Sequence, residues 1–190
     1  MIGLKGRVAE RWEGTLVFSM SPSPAQPDVV DEWEGVVRDL LEFAVGGRPC
    51  TLVTFPHDAP KKSFAWSLPG TFAVKNGEVV KKRKRALWVT PVRDVTSALL
   101  TEIAECLEFG LDMTSIVIGL PAPEDVAHAV DAVTAADRRG ERPQTELEVI
   151  APMNDHEELW WVNARQDPAG VAAALSAHSS IPWHTDDGDR

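Results

Sequence analysis

The sequence predicts an α/β domain, borderline with α+β, in which a mixed central sheet of six or more strands carries about four packed helices. Three stretches predict it. The first, residues 86–119, reads strand, helix, strand. Ala86-Leu87-Trp88-Val89-Thr90 is an apolar run closed by Pro91, and Asp94 opens a helix with Val95, Ala98, Leu99, Ile103, Ala104 and Leu107 spaced by three or four. Gly110 stops that helix and Thr114 to Ile118 forms a second apolar strand, giving a βαβ unit whose long crossover makes the two strands parallel. The second stretch, 71–81, places Asn76-Gly77 between β-prone runs, the signature of a type I′ hairpin, with Lys75 facing Glu78 and Val74 facing Val79. The third, Asp28 to Val45, is an amphipathic helix. Val29, Val30, Trp33, Val36, Val37, Leu40, Leu41 and Ala44 form its stripe, and Gly46-Gly47 ends it.

The remaining elements follow in order. Residues 8–12 read equally as a helical turn or an edge strand, whereas Gly14 to Met20 is a strand and Ser21 to Pro27 a proline-rich loop. Pro49 to Phe55 returns as a strand, Pro56 to Lys62 is a loop, and Ser63 to Leu68 is a strand ended by Pro69-Gly70. Glu124 to Arg139 is an Ala-rich helix with a narrow stripe of Val126, Ala129, Val130 and Val133, acids at its start and Arg138-Arg139 at its end. Thr145 to Ile150 alternates like a half-buried strand, 153–157 is a turn, and Glu158 to Asn163 pairs back. Asp167-Pro168 is a cap followed by proline at the first helical position and opens a last helix to about Ala177. One domain over 1–180 with a flexible tail at 181–190 is the expected organisation.

Composition narrows the function classes. The chain is 44% hydrophobic and 25% charged, which is globular composition. Without an apolar run near ~20 residues or a signal-peptide core, and with two cysteines that make no disulfide framework, it reads as a soluble cytoplasmic protein that does not enter membranes. Cys50 and Cys106 lie in or beside apolar segments and are expected as buried free thiols. A net charge of −10 disfavours general nucleic-acid binding, yet Lys81, Lys82, Arg83, Lys84 and Arg85 gather five of the nineteen Lys and Arg in one run. Since a strand alternates its faces, that run belongs to an edge, a hairpin end or a loop. It serves as a binding strip or as protection of an edge from aggregation.

Catalytic signatures are absent: there is no phosphate-binding glycine loop, no nucleophile elbow, no Cys-x-x-Cys, and His156-Glu157-Glu158 has Trp160 where a zincin would place its second histidine. No metal site or cofactor is expected. Polar residues that follow strands nevertheless make weak catalytic candidates: His57 and Asp58, Arg93, and Asp155 and His156 would form an acid–base site if their loops shared one edge. The bland reading makes them turn residues, caps and solvated histidines. Seven tryptophans and no tyrosine are unusual. Trp33 and Trp88 fit core patterns. Trp160 and Trp161 are adjacent on a strand and point to opposite faces, so one is exposed unless a helix or partner covers it, and Trp183 is either tucked into a groove or an exposed anchor.

The leading expectation is therefore a non-enzymatic binding or regulatory module acting through a protein–protein interface, in an inhibitor, immunity-type or accessory/chaperone role. Its binding residues would be Trp160, Trp161, Trp183 and Lys81 to Arg85, and its partner another protein or a second copy. The alternative is a small enzyme using His57 or His156 as acid–base and Arg93 to orient an anionic small molecule. The third is phosphate or nucleic-acid contact through Lys81 to Arg85.

Overall fold

The computed structural model describes residues 5–21, 30–56, 70–81, 86–109, 112–153, 158–179 and 181–185. Their strands are β1 (Lys5–Trp12), β2 (Thr15–Ser21), β3 (Cys50–Pro56), β4 (Phe72–Lys75), β5 (Glu78–Val80), β6 (Leu87–Val92), β7 (Asp112–Ile118), β8 (Val149–Met153), β9 (Glu158–Val162) and β10 (Trp183–Thr185). Four helices join them: α1 (Val30–Val45), α2 (Ser97–Phe109), α3 (Pro123–Arg139) and α4 (Pro168–His178). All ten strands form one sheet in the order β10-β1-β2-β9-β8-β7-β3-β6-β4-β5, and only β1 and β10 pair in parallel. The mixed α/β class is as the pattern predicts. The 63–68 strand lies outside the described residues.

The strand–helix–strand unit takes an unexpected form. β6 and β7 do run parallel, but β3 lies between them and pairs antiparallel with both: Leu52 faces Thr90 on one side and Ile116 on the other. Three local boundaries also differ from the sequence pattern. β6 continues through Pro91, which costs little because β4 starts only opposite Val89, so the missing N–H falls where there is no second neighbour. α2 begins at Ser97, capped by Thr96 Oγ1, which accepts from the Leu99 amide at 3.2 Å, rather than by Asp94. β8 starts at Val149 and is buried at every position, not alternately.

That burial reflects three layers. α1, α2 and α4 cover one face, where Val36, Leu40, Leu41, Ile103, Val171 and Leu175 meet Leu16, Phe18, Leu52, Ile116, Ile150 and Trp161. α3 covers the other, where Val126, Val130 and Val133 meet Val53, Val89, Val117, Val149 and Ala151. Central strands of such a sandwich are apolar on both sides, as buried sheets require. The predicted stripe of α3 is buried, together with Ala127 and Ala136, and Gly140 ends the helix in the left-handed conformation. Asp167 caps α4 as predicted, its Oδ1 accepting from the Gly170 amide at 2.8 Å.

The C-terminal segment corrects the expectation of a tail from 181. β10 adds to β1, the Gly6 amide donates to the Pro182 carbonyl at 2.9 Å, and Ile181 and Trp183 are buried. Residues 186–190 lie outside the described residues. Among the described residues no helix is long and apolar enough to cross a membrane.

Candidate functional site

The tryptophans expected as a binding surface are core residues. Trp160 is 0% exposed, Trp161 1% and Trp183 6%. Adjacent strand residues do point to opposite faces, but β9 is flanked by β2 and β8 and both its faces are covered. On the helical face Trp161 stacks against Phe18 and meets Phe43 edge-on, and its Nε1 donates to Glu148 Oε1 at 2.9 Å. On the other face Trp12 packs edge-on to Trp160, and the Arg11 guanidinium lies 4.9 Å and 5.0 Å from the two ring centroids. Trp160 Nε1 donates to Glu158 Oε2 at 3.0 Å. Trp183 lies over Gly6, where any Cβ would overlap its ring, and packs edge-on to Phe18. None of the three presents a surface in this chain. Trp88 is buried as expected, and the Trp33 side chain lies outside the described residues.

The strands that precede the catalytic candidates end at two different edges of the sheet. β3 and β8 run in the same direction, so the chain leaves both toward one edge of the sheet. The register Cys50↔Val92 puts the end of β6, and hence Arg93, at the opposite edge. The shared edge that an acid–base site needs is therefore not provided for Arg93. His57, Asp58, Asp155 and His156 themselves lie outside the described residues, as do Lys82, Arg83, Lys84 and Arg85. Lys81 is described and exposed, immediately after β5. Cys50 is buried and free, and desolvation pushes its thiol up to about 11, which makes it inert as a nucleophile at neutral pH. Among the described residues no group of three or more His, Cys, Asp or Glu gathers as metal ligands.

What the structure brings together instead is the β4–β5 end of the sheet. Asn76 (φ 52°) and Gly77 (φ 77°) are both left-handed, the geometry of a type I′ turn, and the pairs Lys75↔Glu78 and Val74↔Val79 follow. Val74 is buried and faces α3, so Val79 opposite it and Phe72 two residues before it lie on that face too. α3 leaves them uncovered in part: Val79 is 46% exposed and Phe72 40%, a paired exposure of large apolar side chains. Between this hairpin and α3 lies a cleft of about 320 Å³, floored by Phe55, Val74, Leu87 and Ala127 and walled by Lys75, Asn76 and Asp131. That is the lower end of the range for ligand pockets, enough for one side chain or a small molecule.

Electrostatics at the cleft are mixed. Burial raises the Asp131 carboxyl above its ordinary value, and the nearby His128 charge opposes that rise. His128, exposed on α3, lies against the turn so closely that a Cβ on Gly77 would come within 2.7 Å of its ring, so any other residue at that left-handed position would be strained and would have to displace the ring. Lys75 and Lys81 flank the strand, with Glu78 between them in sequence. Such a surface can bind: it offers apolar contact, cations and a strand edge that has no neighbour among the described residues.

Sequence reasoning missed Phe72, Val79, His128 and Asp131. The signal for the first two was present in the hairpin, whose Val74↔Val79 pair was legible. That β5 is the outermost strand depends on a strand order that local patterns do not encode. Comparison with known proteins adds nothing to the site: no family model, curated protein or solved structure matches the chain.

Proposed function

We propose that this protein is a non-enzymatic binding module whose partner is another protein, engaged at the β4–β5 end of the sheet. The observation that carries the reading is the joint exposure of Phe72 and Val79 on one face, beside an apolar cleft. Interface cores are apolar and depleted in charge, with cations and polar groups at the rim, and Lys75 and Lys81 stand at that rim. Lys81 is exposed immediately after β5, whereas the tryptophans expected to anchor a partner are occupied in the core. A cytoplasmic setting suits the free Cys50 thiol.

A photo-crosslinking residue tests the reading directly. Placed at Val79, it is expected to give discrete protein adducts in cells that make the chain. Placed at Ala173, on the exposed side of α4, it is expected to give none. Equal adducts at both positions, or none at Val79, would overturn the reading.

A further inference from the structure

We propose that Trp12, Trp160 and Glu158 form a cage for a trimethylammonium group, closed at rest by the guanidinium of Arg11. The inference goes beyond the interface reading and concerns the other half of the sheet, where β2 lies between β1 and β9. Glu158 and Trp160 are two apart on β9 and share a face, and Trp12 joins that face through the pairs Trp12↔Thr15 and Thr15↔Val162. The two indoles meet edge to face, their centroids 5.3 Å apart and their planes at 67°, so one cation can address both rings. Arg11 does so: its guanidinium carbon lies 4.9 Å from one centroid and 5.0 Å from the other. The Trp160 indole N–H, donating to Glu158 Oε2 at 3.0 Å, fixes a carboxylate beside the rings. Aromatic faces with an anion at their margin are what an organic cation needs.

Arg11 is a loose resident. It is the extra residue of a bulge, because the register passes from Glu10↔Leu16 to Trp12↔Thr15. Its side chain is 42% exposed, and among the described residues its only polar partner is Glu158, at 3.6 Å. A guanidinium seated on a carboxylate makes paired bonds of about 2.8 Å, so this contact is a poor one. That mismatch selects the ligand. Guanidinium and primary ammonium groups both carry several N–H donors, and the cage offers them one carboxylate oxygen that already accepts from an indole. A quaternary ammonium carries no donor, so the rings and the carboxylate satisfy it completely. The net charge of −10 favours the approach of any cation. The tryptophan that the sequence marks for binding is thus covered by a side chain that can leave, rather than by a helix alone.

The test uses the full chain, with choline as the probe and dimethylbutanol, in which carbon replaces the charged nitrogen, as the control. Binding is read from the NMR signals of the Trp12 and Trp160 indole N–H groups. Choline is expected to shift both, and dimethylbutanol to bind about tenfold more weakly. A ligand that competes with an internal guest meets only the open fraction of cages, so Arg11→Ala should tighten choline binding about tenfold. Glu158→Gln keeps an acceptor for the Trp160 N–H while removing the charge, and should weaken choline about tenfold. Urea unfolding of both variants confirms that each is folded.

Equal binding of choline and dimethylbutanol would reduce the cage to an apolar crevice and overturn the proposal. So would a folded Arg11→Ala chain that binds choline no better than the wild type, since Arg11 would then not be the guest. No shift of either indole by choline in that variant would remove the site altogether. A peptide carrying trimethyllysine identifies the source of the group: tighter binding than choline places it on a protein chain, weaker binding on a free small molecule, and either result supports the cage.

Discussion

Gly6 has no room for a side chain. A Cβ would overlap the Trp183 ring, which lies against the backbone of β1, and Ser176 holds the Trp183 backbone: the Trp183 amide donates to Ser176 Oγ at 2.8 Å, and that hydroxyl donates to the Trp183 carbonyl at 3.2 Å. Gly6→Ala is therefore expected to destabilise the fold by about 1–3 kcal/mol, through displacement of a buried indole, with an unchanged denaturant slope in urea unfolding. Asp131 gives the opposite sign. Its carboxyl is raised by burial, so the fold favours its protonated form. The stability this contributes is complete below the unfolded-state pKa and is lost as pH rises through the higher folded-state pKa. Asp131→Asn should then raise the melting temperature at pH 7 and leave it nearly unchanged at pH 3, and an equal shift at both would show that desolvation is not the cause. Residue identity was the least legible layer of the sequence. Trp160 and Trp161 were rightly read as pointing to opposite faces, but a strand with one open face and a strand between two covered faces carry the same local pattern. Only the helices that pack on each side distinguish them.

At the scale of elements, legibility follows how local the cause is. The stripe of α3, the cap of α4 and the type I′ turn were readable because each is decided within about one turn of chain. The start of α2 and the end of β6 were not, because Thr96 and Asp94 are both competent caps and Pro91 is tolerated only for want of a neighbouring strand. One junction shows how elements are held together. Arg48, just after α1, donates to the Ala44 and Val45 carbonyls and makes a bidentate pair with Glu148, at 2.8 Å and 2.9 Å, at the start of β8. The same carboxylate accepts the Trp161 indole N–H. Glu148→Ala would free Arg48 into water at small cost but strand a donor on a buried ring. It is expected to destabilise by about 1–3 kcal/mol, and Arg48→Ala by less, in paired urea titrations.

For the whole molecule, the governing fact is a strand order in which sequence neighbours are often not sheet neighbours. β3 enters between β6 and β7, and β1 and β2 separate β9 from β10. These insertions are long-range pairings that no window of sequence reveals, and they explain why the class was legible while the placement of Arg93 opposite the ends of β3 and β8 was not. The two outer strands have different protection. β5 is three residues long and adjoins a cationic run, whereas β10 caps β1 with a buried tryptophan. Truncation after Ser179 should cost about 3–5 kcal/mol from loss of the Trp183 side chain. It should also uncover the β1 edge, with new dimers or larger species on size-exclusion chromatography. A truncated chain that stays monomeric would show that β1 protects itself.

The parallel pairing of β1 with β10 has a mechanical consequence. Because Gly6 faces Trp183 and Val8 faces Thr185, a tether attached before Lys5 and another after Thr185 would pull the two strands along their length in opposite directions. Tension would then load the three residue pairs together, in shear, rather than peeling them apart one at a time. The resistance of the protein to being drawn out by its ends would rest on this short splice and on the ring wedged across Gly6.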